Sequence, residues 1–181
     1  MNEGNENLKN KTAFLFDIIK RYDHYVATTN FKVGLMMSFV GAIVLGLTIR
    51  VMSINPAQSG CNYLYYAVLL SSSLTIVCSL SAAINLLRAI FPNTKTHDGD
   101  KSLIFFGDVA SCESGVDGYK EKVGKATPEN LLEDLSKQTF ILAEIINEKF
   151  RVLKISVIII IYGVIPFLAI SLLLLIFERV K

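Results

Sequence analysis

The groups best suited to coordinate a metal or move a proton in this 181-residue chain are two histidines, three cysteines and a scatter of carboxylates. Their spacing argues against either chemistry. His24 falls among charged residues of a helical pattern, where a solvated side chain is expected, and His97 sits beside Asp98 and Asp100 as a turn residue. Asp98-Gly99-Asp100 has the start of a calcium loop but lacks the acidic ligands that must follow at fixed offsets. No phosphate-cradling glycine loop, nucleophile elbow, H-E-x-x-H or Cys/His cluster occurs. The carboxylate pairs Glu133-Asp134 and Glu144 with Glu148 fall on helical spacing and read as solvated charges. Cys61, Cys78 and Cys112 are too scattered for a disulfide framework and read as free thiols. We therefore expect no catalytic residue, no metal and no cofactor.

What must position any remaining chemistry is apolar. Apolar residues make up 52% of the chain and the mean hydropathy is +0.47, more than a soluble domain of this size carries. The excess concentrates in three uncharged runs, 33–49, 61–87 and 155–177, assigned with their flanks as spans at 31–54, 61–88 and 155–177, each near or above the roughly 18 residues that cross a bilayer. Lys32, Arg50, Arg88 and Lys154 bracket them, Tyr63, Tyr65 and Tyr66 open the second, and Pro166 interrupts the third, where it removes one helix bond and offers a kink. Net charge is only +2, from 18 basic and 16 acidic residues, which excludes a nucleic-acid binder that relies on phosphate neutralisation. No secretory signal peptide is recognisable, so the first span is expected to direct insertion. Lys and Arg crowd the stretch before span one and the stretch from Arg88 to Lys154, whereas the first loop offers Arg50 alone. The positive-inside rule then puts the N-terminus and residues 88–154 in the cytoplasm, with the short tail Glu178 to Lys181 outside.

Residues 1–30 read as an amphipathic helix, with Leu8, Leu15, Ile18, Ile19, Tyr22, Tyr25 and Val26 at three- and four-residue steps, and nothing breaks it from span one. A second such helix over 127–154 starts from Thr127 as N-cap and Pro128 at the first position, and its apolar stripe runs through Leu131, Leu132, Leu135, Leu142, Ile145, Ile146 and Leu153. At about 1.5 Å per residue it would be roughly 40 Å long. The two stripes can pack on each other, on a neighbouring subunit or on the membrane surface. The insertion at 91–126 is rich in Gly, Ser, Asp and Lys around one apolar island, Leu103 to Ala110, read as a short strand running into a turn at Gly107-Asp108. The fold class is mostly α: three transmembrane helices and a small cytoplasmic head of amphipathic helices with a strand/loop insertion. Serines and threonines inside the runs, with Gly34, Gly41 and Gly46, favour helix association in lipid and hence a homo-oligomer.

Thr29-Asn30-Phe31-Lys32 opening span one, Phe91-Pro92 closing span two, Ile104 to Ala110 in the insertion, and Leu131 to Leu153 with Asp134, Gln138, Leu142, Ala143, Lys149 and Phe150 together resemble the Pycsar transmembrane effector family (PycTM). The resemblance covers nearly the whole chain from Tyr25 onward and rests on order and spacing rather than on one motif. It departs at Asn30, where the family tends to have Asp, and at Asn93, where it tends to have a basic residue. The resemblance implies a bacterial anti-phage effector in the inner membrane. A partner pyrimidine nucleotide cyclase would make cyclic CMP or cyclic UMP on infection, and the effector would sense it through its head and compromise the lipid bilayer. An anionic nucleotide needs a cation for its phosphate and an aromatic face for its base, and the insertion supplies those types in Lys101, Phe105, Phe106, Lys120, Lys122 and Lys125. The alternative for Phe105 and Phe106 is burial in the head, and for the lysines a solvated surface. The alternative for the whole chain is a non-catalytic membrane scaffold docking a cytosolic partner.

Overall fold

A computed structural model describes residues 2–53, 62–91 and 101–180. Cys61, Pro92, Asn93 and the stretch from His97 to Asp100 lie outside the described residues. Helix α1 runs Asn2–Met52, α2 Asn62–Ile90, α3 Phe106–Ala110, α4 Gly115–Lys125, α5 Pro128–Ile159 and α6 Ile165–Val180; a π-helical turn, Ile160–Val164, joins the last two. α1, α2 and the stretch from α5 through α6 are each long and apolar enough to cross a membrane. The chain divides into a first unit, Met1–Thr28 with Asn93–Asn147, and a second, Thr29–Pro92 with Glu148–Lys181.

The second unit is a membrane protein turned inside out relative to a soluble bundle. Ser72, Thr75, Ser79, Ser156 and Ser171 are buried, whereas Leu70, Ile84, Leu173, Ile176 and Phe177 are exposed. Lipid tails are as apolar as leucine, so helices in a bilayer gain by bringing small residues and hydroxyls together. On α2 the buried positions Val68, Ser72, Thr75, Ser79, Ala82, Leu86 and Ala89 advance in alternating steps of four and three, with buried Ser71 beside the row. That is a repeat of about 3.5 residues, the seam geometry of left-handed helix pairs. Thr75 meets Ser171 of α6 at 3.3 Å between hydroxyl oxygens. Val33 and Val40 of α1, Ala82 and Leu86 of α2, Leu153 of α5, and Ile160 and Val164 of the π turn close one apolar core.

The same period governs the other helices. On α1 it runs through Leu8, Thr12, Leu15, Ile19, Tyr22 and Val26, all half-buried, and on through Thr29, Val33, Met36, Val40, Ile43 and Leu47. On α5 it takes in Leu135, Thr139, Leu142, Ile146, Lys149, Leu153 and Ser156, and reaches Ile160 at the start of the π turn. Continued unchanged it would next use residue 163. The buried side chains instead are Val164, Ser171 and Leu175, each one residue late. The π turn supplies that extra residue, and Ile165 N–H donates to the Ile160 carbonyl, five residues back. Pro166 gives the reason: it has no N–H for the Tyr162 carbonyl and its ring would collide there in a regular helix. The interruption expected at Pro166 thus takes the form of a phase shift just before it. Gly163 lies against α2, and a Cβ there would come within 3.2 Å of Cys78 Sγ.

One seam position carries a charge. Lys149 is 6% exposed, and its ammonium donates to Asn30 Oδ1 of α1 at 3.3 Å and to the Ile90 carbonyl oxygen ending α2 at 3.2 Å. No carboxylate pairs with it among the described residues; its sequence neighbour Glu148 holds Arg151 instead, at 2.8 Å. Burial pulls the Lys149 ammonium below the ordinary lysine pKa. Taking an ammonium out of water costs several kcal/mol. Two bonds to neutral oxygens return about 1.5–3 kcal/mol each at best, and less at these lengths. The terminal carbonyl of α2 adds roughly another 0.3–1 kcal/mol through the helix dipole. The balance is close to even, with the charge on the losing side.

Replacing Gly163 by Leu overfills the α2 contact and is expected to cost about 1–3 kcal/mol, read as earlier thermal aggregation in detergent. Adding Cys78→Ala should restore part of the loss; equal sensitivity with and without Cys78 would show that the two do not touch.

Candidate functional site

The first unit gathers its polar groups around one short segment. Ser102 is buried, and its hydroxyl accepts from Ile104 N–H and Phe105 N–H, both at 3.0 Å, while donating to Asp134 Oδ2 at 3.1 Å. Asp134 Oδ2 also accepts from Leu103 N–H at 2.8 Å, and Asp108 Oδ2 takes Ser102 N–H at 2.9 Å. Tyr119 of α4 donates its hydroxyl to the Leu103 carbonyl at 3.0 Å. Every backbone N–H from Ser102 to Phe105 is therefore held by a side chain.

These bonds explain why the expected strand over Leu103 to Ala110 does not form. A strand needs a partner to satisfy its backbone, and no strand exists among the described residues. Ser and Asp side chains satisfy this backbone locally instead, which favours turns and caps over sheet. The chain then closes into α3, whose preceding residue Phe105 lays its ring over Gly107; a Cβ there would come within 2.7 Å of that ring. The apolar island is thus a capped helical turn.

α5 begins as its residues dictate: Thr127 Oγ1 accepts Asn130 N–H at 3.2 Å, with Pro128 at the first helical position. This places Asp134 on the second turn, next to buried Leu135, where it can hold the insertion. α4 starts at Gly115 directly after Ser114, both left-handed at φ near +60°. Gly118 is required there, because a Cβ would run into the Glu113 carbonyl oxygen.

The candidate ligand residues separate into two groups. Phe106 is 78% exposed, packed against half-buried Phe105 with ring centroids 4.8 Å apart, so the pair presents one aromatic face to solvent. The lysines do not converge. At about 100° per residue, Lys120 and Lys122 point roughly 160° apart around α4, and Lys125 takes a third direction. Lys101 pairs with Glu113 at 3.5 Å, Lys120 with Asp117 at 3.9 Å and Lys125 with Glu121 at 2.6 Å. Lys122 has no carboxylate in range among the described residues. Exposed pairs of this kind contribute little and exchange readily for another anion. Among the described residues no cluster of His, Cys, Asp and Glu could hold a metal. Residue spacing marked Asp108 only as a turn former and did not single out Ser102 or Tyr119; the available signal was a serine and an aspartate flanking a short apolar run.

The family model of the Pycsar effector protein domain, PycTM, matches residues 14–177. A curated relative, "Pycsar effector protein EcPycTM" of Escherichia coli, is 31% identical over 150 residues, which is 80% of this chain and 80% of the relative. No solved structure matches.

Truncating Asp134 to Ala leaves Leu103 N–H and the hydrogen of the Ser102 hydroxyl without their acceptor. Amide exchange of the Ser102 to Phe106 backbone should then accelerate by tenfold or more, consistent with the roughly 1.5–3 kcal/mol of a bond to a charged acceptor. Asp134→Asn keeps an acceptor and should accelerate it less.

Proposed function

The chain belongs to the Pycsar effector family, whose members serve anti-phage defence, and we propose on that premise that it senses a cyclic pyrimidine nucleotide, cCMP or cUMP, with the first unit and answers by disrupting the inner membrane. In this reading the N-terminus and residues 88–154 face the cytoplasm, a pyrimidine nucleotide cyclase supplies the messenger, and the effector itself carries no catalytic centre. The observation that carries it is the anchoring of the insertion on Asp134 of α5, a helix that continues unbroken from Pro128 to Ile159 and so reaches the apolar core at Leu153. A ligand bound to the insertion bears on α5, and it acts on the spans to the extent that it prefers one of their arrangements over another.

The Phe105–Phe106 face suits a pyrimidine base, and Lys122 or Lys101, once released from Glu113, suits the cyclic phosphate. α1 supports self-association: Gly34, Ser38, Ala42 and Gly46 fall every fourth residue on an exposed face, and a Cβ on Gly34 or Gly46 would touch nothing within 4 Å. Exposed Phe14, Phe16 and Phe140 favour the second reading, a scaffold that docks a cytosolic protein.

Dye-loaded vesicles of phosphatidylethanolamine and phosphatidylglycerol bearing the full chain should release dye on addition of cCMP or cUMP. Phe106→Ala should raise the nucleotide concentration required by about tenfold, since stacking on one aromatic is worth roughly 1–3 kcal/mol. Vesicles that stay tight with both nucleotides while a soluble protein co-purifies would favour the scaffold. For self-association, the double change Gly34→Leu with Gly46→Leu should abolish cross-linked species above the monomer; an unchanged ladder would place the interface elsewhere.

A further inference from the structure

Lys149 lies outside the insertion and is the buried cation of the second unit among the described residues. It lies less than two turns before Ile155 on the seam of α5, between buried Ile146 and Leu153, and reaches both other spans at once: Asn30 on α1 and the last carbonyl of α2. Both partners are neutral, both bonds are long, and among the described residues the ammonium's third hydrogen meets no acceptor. An aliphatic residue there would pack with the rest of the seam. A charge on a seam position specifies which residues meet at the expense of how tightly they are held.

We infer that the Lys149 ammonium, buried against Asn30 and the end of α2 with no carboxylate beside it among the described residues, keeps the packed arrangement of the three spans close to its point of opening. The lysine stem is long enough to return its charge to water when the helices part, so parting relieves the desolvation that packing imposes. The lowered pKa has the same sign: the packed state holds this proton less tightly than water-exposed lysine does, so packing is disfavoured by the charge. The consequence for signalling rests on the membrane-opening function proposed above, whereas the effect on packing does not. A messenger bound to the insertion then needs only a small preference between arrangements to shift the population.

The test uses the full chain with Cys61 and Cys112 replaced by serine, in vesicles of phosphatidylethanolamine and phosphatidylglycerol. Cys78 lies against Gly163, so its alkylation by N-ethylmaleimide quickens when α2 and the π turn separate. Without nucleotide, Lys149→Met is expected to slow Cys78 alkylation by about tenfold, because an apolar side chain of similar volume removes the buried charge. Asn30→Asp should slow it as well, by giving the ammonium a carboxylate. The double variant should be faster than either single one, since it leaves the new carboxylate buried alone; a structural effect of either site by itself would not reverse in this way. Alkylation of Lys149→Met as fast as, or faster than, the parent overturns the inference. If that variant does not accumulate in membranes, Asn30→Asp decides, and no slowing overturns it. Slower alkylation in vesicles that never release dye with cCMP or cUMP would uphold the role of Lys149 and remove the membrane-opening function.

Discussion

A helix that leaves water and continues into lipid must keep one face turned toward its partners while the meaning of its other face reverses. In water the outward face is polar and the seam is greasy; in lipid the outward face is greasy and the seam tolerates serine, threonine and glycine. What survives the transition is the period. α1 holds its alternating steps of four and three from Leu8 to Leu47, through a first half flanked by Lys11, Asp17, Lys20 and Asp23 and a second half flanked by Leu35, Phe39, Leu45 and Ile49. Continuity of phase, more than any single contact, lets one helix serve both units.

Much of this was legible because lipid imposes crude rules. Length and lack of charge locate the spans, and Thr127-Pro128 announces the start of α5. The amphipathic stripes were visible too, and the structure fills the gap along α5 between Ile146 and Leu153 with Lys149. Residue type alone could not say that this lysine turns inward, because an inward lysine requires acceptors from other helices, here Asn30 and Ile90. Those partners are far apart in sequence, and no local pattern links them.

The insertion shows the opposite failure. Leu103 to Ala110 has the composition of a strand, but composition does not count available partners. Ser102 and Asp108 satisfy the backbone that a sheet would otherwise claim, and Asp134 ties the result to α5. The candidate lysines scatter in direction, since a helix sends residues two apart to nearly opposite sides. Phe106 alone of the aromatic pair stands in the open, and its neighbour Phe105 serves as its support over Gly107.

The π turn at Ile160–Val164 has a meaning for how this span tolerates change in length. It acts as a skipped thread on a screw, where one residue is absorbed without advancing the inward face. Deleting a residue inside it would leave Ser171 and Leu175 facing inward as they do now. Deleting one from Leu153 to Ile159 would swing every later side chain by about 100° and turn Ser171 toward the lipid tails. Between Leu153 and Val164, a single deletion therefore keeps the inward face only inside this five-residue turn.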